Sequence, residues 1–378
     1  MQFNKKLFRN LNLYIPITVI LLIVIGMFAI SSAVELNKVG SSGSIFLKKQ
    51  IIAAVLGIIT AIIIQFIDYR IFKEYAQLIF GSMVIVLVMT HLYGANVSGG
   101  RRWLDIGFVN IQPSELAKIV LILVLATILD QKKELNSLKD LILPFGYFLV
   151  PFLLIVFEND LGTALVLLVI FVVMLYVAGA NKKFMYVFFG GGFLSVIGLI
   201  TSHVIFGTPL PFLKEYQLNR LIAFVNPSID PQGIGYNIIQ SKIALGSGRL
   251  TGKGLFAGTQ NQLNFLPAKH TDFIFSVIGE EFGFIGVLIV LVLFLLLFWQ
   301  LFNIAFQAKD QYGKLVVTGI IAMFFFHVVE NIGMTMGVMP ITGIPLPFIS
   351  YGGTSMVTSI VAIGLALNVN IRKKKLQF

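Results

Sequence analysis

Ten near-continuous apolar stretches divide this chain, at about 13–33, 50–67, 75–93, 114–129, 141–157, 161–178, 184–205, 273–303, 315–338 and 353–370. A bilayer core takes roughly 20 apolar residues of helix to cross. The expected fold is therefore all-α: a polytopic integral membrane protein with ten transmembrane helices in one membrane domain over residues 1–378. Charge content agrees, since 12% of the residues are charged against about 25% in a soluble domain, too few to cover a water-soluble globule of this size. The chain has no cysteine, which excludes thiol redox chemistry, a disulfide scaffold and Cys-ligated zinc. The opening MQFNKKLFRN runs into the first apolar stretch with no small-residue cleavage site, so it is expected to be a cytoplasmic lead and not a signal peptide.

Orientation follows from the basic residues in the connections. With the N-terminus inside, sixteen Lys and Arg fall in inner segments and five in the short outer connections. Both termini are then cytoplasmic, and the long connection at about 206–272, between the seventh and eighth spans, faces out. The net charge of +11 is a topology signal and an attraction to anionic membrane lipids; no nucleic acid is needed to explain it. The outer loop is too long for a passive connector. Its apolar pieces, Leu218 to Val225 and Ile238 to Leu245, read as short interfacial helices, and its glycines from Gly246 to Gly258 allow close backbone approach to a ligand.

Charges at membrane depth are costly, so each is a functional candidate. Glu115 and Lys118 lie three apart at the start of the fourth span and share a helix face; taken alone, they read as an ion pair steadying a helix end. Arg101, Arg102 and Trp103 suit a headgroup-level anchor. Asp160 precedes the sixth span as a helix cap or as a carboxylate lining an outward cavity. Asp272 follows Lys269, His270 and Thr271 at the outer mouth of a 31-residue apolar segment. Glu280 is eight residues on, about 12 Å deeper on a continuous helix, and a carboxylate pair so placed suits proton removal from a hydroxyl. His270 alone reads as a structural hydrogen-bonder, and no metal-ligand spacing accompanies it, so a protein-only metal cage is not expected. Pro340, Pro345 and Pro347 with Gly343, Gly352 and Gly353 exclude continuous helix. Irregular backbone at that depth is tolerated where it is buried in protein or lines a cavity. His327 and Glu330 precede it and are expected to face inward.

These motifs, in this order, resemble the SEDS family (shape, elongation, division and sporulation). The matching pieces are GRRW (100–103), QPSELAK (112–118), DLGTA (160–164), NRLIAFVNPSIDPQGIGYN (219–237), QSKIALGSG (240–248), FLPAKHTDFIF (265–275), GEEFG (279–283) and NIGMTMG with PITGIPLPFISYGG. They span almost the whole chain, and QSKIALGSG with GTQNQLNFLP is nearer the RodA branch than the FtsW branch. The resemblance implies an inverting peptidoglycan glycosyltransferase that polymerises lipid II at the outer face of the bacterial cytoplasmic membrane, beside a class B penicillin-binding protein that crosslinks the strands. It places the essential acid on Asp272. It gives substrate-binding roles to Arg102, Trp103, Glu115, Lys118, Asp160, Arg220, Gln240, Ser241, Lys269, His270, Glu280, Glu281, Ser350 and Tyr351. Two positions depart from the family: Ala268 stands where it usually has Glu, and Asn159 where it usually has Pro.

On this reading Asp272 takes the proton of an acceptor sugar hydroxyl, and Arg102, Arg220, Lys118 and Lys269 face the anionic diphosphate. A divalent cation, Mg or Mn, is expected to bind through substrate oxygens, and no organic cofactor is implied. Two alternatives stay open from sequence: a flippase for lipid II, and a non-catalytic membrane scaffold of the cell-wall machinery.

Overall fold

The computed structural model describes residues 13–35, 42–97, 100–105, 110–132, 135, 137–192, 194–195, 198, 201–202, 215–231 and 233–373. The long helices are α1 (Tyr14–Glu35), α2 (Ser42–Phe66), α4 (Ala76–Tyr93, after the single turn α3, Ile71–Glu74), α5 (Pro113–Asp130), α6 (Leu138–Phe157) and α7 (Leu161–Val177). The short α8 (Lys182–Met185) runs into a π-helical turn at Tyr186–Gly190; part of the expected seventh span, 184–205, lies outside the described residues. The long loop contains α9 (Glu215–Val225), α10 (Ile234–Ser247) and α11 (Thr259–Gln262), and the chain closes with α12 (Ile274–Gln307), α13 (Gln311–Met336) and α14 (Gly353–Ile371).

Among the described residues, seven helices are long and apolar enough to cross a membrane: α1, α2, α4, α6, α12, α13 and α14. Two others fall short for physical reasons. α7 has only 17 residues, and α5 carries Glu115, Lys118 and Asp130 along its length. Both lie deep in the bundle, where α13 packs on α5, α7 and α12. α14 runs along α2, and α12 along α1 and α10. The second helix starts at Ser42, well before the expected residue 50, because Lys48 and Lys49 interrupt the apolar signal without interrupting helix.

The all-α expectation misses a small antiparallel sheet of β1 (Ala95–Val97), β2 (Gly100–Asp105) and β3 (Asn110–Ile111), in that order. Strands of two to six residues are too short for alternation to show in sequence. Pairing of Ala95 with Trp103 and of Leu104 with Ile111 sets the sheet just before α5.

The continuous eighth helix is also corrected. α12 breaks at Gly283, whose φ of 65° and ψ of −162° are non-helical. A break exposes backbone groups that must find partners, and the loop after α10 supplies them. The N–H groups of Phe284 and Ile285 donate to the carbonyls of Arg249 and Leu250, while Lys253 and Gly254 donate to the carbonyls of Glu280 and Glu281. Gly248 and Gly252 of this loop thus lie against the backbone of the protein's own helix. Gly252 shows why: its φ is +79°, and a Cβ there would overlap the Glu281 carbonyl. Gly252→Ala combines left-handed strain with a backbone clash, so it is expected to cost about 2 kcal/mol or more, read as a lowered thermal midpoint in detergent.

Candidate functional site

The site is organised by the irregular segment that follows α13. Its prolines fix φ and remove N–H donors, which leaves a run of carbonyls for other elements to bind. Arg220 Nη1 on α9 donates to Thr342 O (3.2 Å), and Asn331 Nδ2 on α13 to Ile344 O (2.8 Å). His327 Nδ1 lies 3.1 Å from Pro345 O; a carbonyl can only accept, so that nitrogen carries the proton. Thr342 Oγ1 donates to Glu330 Oε1 (2.9 Å). His327 and Glu330 are both buried, facing inward as their spacing suggests.

Asp272 meets this segment from the other side. Ala268 has a φ of 50°, and its carbonyl accepts the N–H groups of both Thr271 and Asp272 at 3.1 Å. The turn that presents Asp272 is therefore a backbone device, and it stands without a glutamate at 268. Asn331 Nδ2 also donates to Asp272 O (2.9 Å), tying the acid to the bend at Ile344. The half-buried carboxyl of Asp272 has Oδ2 3.5 Å from the place a Cβ on Gly343 would take, and Gly343 has a φ of +80°. Burial raises the Asp272 acid above the ordinary aspartate range, opposed by the charge of Arg220, a hydrogen bond from Thr271 and the charge of Arg102. That combination makes a stronger base than a solvated aspartate.

Lys118 and Glu115 form an ion pair of 2.8 Å, and with Lys118 2% exposed the pair is buried in the bundle and not at its interface. Lys118 Nζ is also 3.0 Å from His327 Nε2, the acceptor nitrogen of that ring. His327 thus links the buried cation to Pro345, and so to the same segment that faces Asp272.

Arg102 and Asp160 meet at the head of α7. Asp160 caps α7 through Thr163 N, and its Oδ2 accepts from Thr163 Oγ1, Gln112 Nε2 and Ser114 Oγ. Buried and fully engaged, it is a knot that joins α5 to α7; the reading as an open cavity carboxylate is corrected. Arg102 Nε donates to Glu158 O (3.1 Å), and its Nη2 donates to Asn159 O. Asn159 has a φ of 65°, a conformation closed to the proline that the family resemblance leads one to expect. Trp103, beside Arg102 on β2, is half-buried.

Glu280 is engaged away from Asp272. Its carboxylate is held by Lys253 Nζ (2.7 Å) and by the N–H groups of Gln260 and Asn261, which lock α11 to α12. Glu281 accepts from Ser32 Oγ of α1 and from Asn261 Nδ2. Lys269 donates to Asn261 O and to Asn264 Oδ1, and burial pushes its ammonium below the usual lysine range against the pull of Glu281 and Glu280. Ser241 is hydrogen-bonded to Ser276 and Thr335 O, with Gln240 half-buried beside it. These residues assemble the loop. Ser350 and Tyr351 brace Asp272 from behind: Ser350 Oγ donates to Thr271 O (2.7 Å) and Tyr351 N to His270 O (2.9 Å). The rings of His270, Phe46 and Tyr351 pack together at 5.1 to 5.7 Å.

Among the described residues no three His, Asp or Glu groups converge. Sequence reasoning passed over Asn331 and assigned no chemistry to Glu158. His327, Glu330 and Asn331 stand at i, i+3 and i+4, one polar stripe on an apolar helix, and that stripe was the available signal.

A family model described as a cell cycle protein, covering FtsW, RodA and SpoVE, matches residues 12–375. The chain is 37% identical to the peptidoglycan glycosyltransferase RodA of Treponema pallidum, covering 86% of this chain and 89% of the relative. It is 33% identical to the peptidoglycan glycosyltransferase MrdB of Escherichia coli K12, over 99% and 98%. Its structure resembles a chain of a peptidoglycan synthase complex that coordinates polymerization and crosslinking, with a TM-score of 0.77, 29% identity and coverage of 95% and 97%. It also resembles the rod shape determining protein RodA of Thermus thermophilus, with a TM-score of 0.70, 27% identity and coverage of 97% and 98%.

Proposed function

We infer from one premise, that this chain belongs to the FtsW, RodA and SpoVE family of cell cycle proteins, that it is a peptidoglycan glycosyltransferase. Its substrate is lipid II, and its product serves cell elongation and shape. The observation that carries the mechanism is the setting of Asp272, a half-buried carboxylate packed on Gly343 with the charges of Arg220 and Arg102 bearing on it.

In the proposed reaction the 4-hydroxyl of the acceptor GlcNAc attacks the anomeric carbon of the donor. The new glycosidic bond forms as the bond to the diphosphate oxygen breaks. Undecaprenyl diphosphate leaves with the bonding pair, and Asp272 takes the hydroxyl proton. One displacement inverts an α-linked donor to a β-linked product. Arg220 and Arg102 balance the leaving charge, and Lys118, held by Glu115 and His327, adds a fixed positive charge beneath the same segment. A Mg or Mn ion would be held by the substrate's diphosphate and would add to the charge that Arg220 and Arg102 set against it.

The orientation proposed is a bacterial cytoplasmic membrane protein of ten spans with both termini inside. It is supported by the excess of Lys and Arg in the inner segments; the ion pairs Arg70–Asp310, Lys73–Asp130 and Arg372–Asp68 lie at those helix ends, opposite Asp272. The proposed partner is a class B penicillin-binding protein. Purified protein with that partner is expected to convert lipid II into glycan strands when transpeptidation is blocked. Translocation of a fluorescent lipid II across proteoliposomes without strands would instead identify a flippase, and neither product nor translocation a scaffold.

A further inference from the structure

Glu158 ends α6 at the outer side of the bundle. It is 1% exposed, and among the described residues neither of its carboxyl oxygens finds a hydrogen-bond partner. Among the described residues no other buried carboxyl group is left with both oxygens empty. A buried carboxylate without donors is among the costliest groups a protein can hold, whereas the neutral acid is tolerated.

We propose that Glu158 is a positioning residue: as a neutral acid it leaves the Arg102 guanidinium seated on the carbonyls of Glu158 and Asn159, with its charge directed at Asp272. The inference rests on the glycosyltransferase reading, because it acts through Arg102.

The geometry supports it in three ways. Arg102 grips the backbone of the very turn that carries Glu158, yet among the described residues no ion pair joins the two side chains within 4 Å. Asn159, in its left-handed conformation, turns the 158 and 159 carbonyls toward Arg102. Asp160 has its acceptors occupied by Thr163, Gln112 and Ser114, so it neither needs Arg102 nor competes for it. The charged groups bearing on Glu158 are Asp160 at the head of α7 and Arg102 on β2; the outer half of α6, PFLLIVF, contributes none. Burial first and then Asp160 push the Glu158 acid up to about 8, with Arg102 opposing. Above that pH the group ionises and acquires two empty acceptor oxygens beside a guanidinium. Arg102 then turns to pair with it and leaves the carbonyls, so its charge no longer balances the leaving diphosphate beside Asp272.

The sign for stability follows separately. An unfolded glutamate releases its proton near 4.5, whereas this one keeps it to about 8, so folded stability falls as pH rises between those values. Glu158→Gln is a neutral mimic that escapes the loss and melts higher than wild type at pH 8.

The deciding experiment is a pH profile of lipid II polymerisation, with the penicillin-binding partner present, for wild type, Glu158→Gln and Glu158→Leu. One pH unit above its midpoint an acid is about nine-tenths ionised, so wild type should keep about a tenth of its pH 7 rate at pH 9. Both variants should match wild type within about twofold at pH 7 and show no such fall. A flat wild-type profile overturns the inference. So does an alkaline fall that persists in both variants, which would belong to Lys269. Infrared spectroscopy supplies a readout independent of activity: wild type minus Glu158→Gln should show the carbonyl stretch of a protonated carboxyl at pH 7 that is lost above pH 9. Absence of that band refutes the inference alone, while absence of strands from wild type at pH 7 refutes the glycosyltransferase reading.

Discussion

Asp272→Asn is expected to lower strand polymerisation by about a hundred- to ten-thousandfold, the usual worth of a general base, while the protein stays folded and melts at a higher temperature at neutral pH. Loss of rate follows because the amide keeps the shape of the carboxylate and cannot accept the hydroxyl proton. The gain in stability follows from the same burial that makes Asp272 useful. Its folded acid lies above the ordinary aspartate range, so the unfolded chain gives up that proton more readily. Stability therefore falls as pH rises through the interval between the two values, and asparagine removes the loss. Wild-type activity should accordingly fall on acidification at a pH above that of a solvated aspartate. Thermal melts and polymerisation assays on the same preparations check both halves. Strand synthesis within tenfold of wild type by Asp272→Asn would end the assignment.

The second large effect concerns the buried pair in α5. Lys118→Met strands Glu115 without its cation and His327 without its donor, and breaking a buried pair from one side costs about 3–5 kcal/mol. Lys118→Met combined with Glu115→Gln leaves no uncompensated charge, so most of that stability should return. Activity should not return, if the fixed cation beneath the Thr342–Pro345 segment contributes to holding the diphosphate. A double variant that regains both stability and polymerisation would reduce the pair to a structural strut. Midpoints in detergent, with rates measured at a temperature where all forms are folded, separate the two outcomes.

Sequence carried much of this architecture because lipid imposes a simple length rule on apolar runs. The bounds of α4, α5 and α7 lie within a residue of where hydropathy puts them. What stayed hidden depended on tertiary partners. The break at Gly283 cannot be read from GEEFG, since it exists only because Arg249 and Leu250 offer carbonyls to Phe284 and Ile285. Asp160 and Glu158 are two residues apart and equally acidic, yet one collects four hydrogen bonds and the other none. Two of the four come from Thr163 in the following turn, and the other two from Gln112 and Ser114, more than forty residues away. Glu280 looked like a partner for Asp272 by helical geometry, and its commitment to Lys253 and α11 could not be seen in one dimension. Asp272 itself was legible because HTDFIF places an acid at the mouth of an apolar helix.

One feature of the segment between α13 and α14 bears on heredity. The arms that converge there, from Arg220, Asn331 and His327, bind the main-chain oxygens of Thr342, Ile344 and Pro345. A codon can change what a side chain is, but it cannot delete a peptide oxygen. The receiving end of these contacts is thus shielded from point mutation, provided that the prolines and Gly343 keep the path of the chain. All the genetic fragility lies at the donating end. In a saturation screen, Ile341 and Ile344 should therefore accept other apolar residues, while Arg220, Asn331 and His327 tolerate few changes.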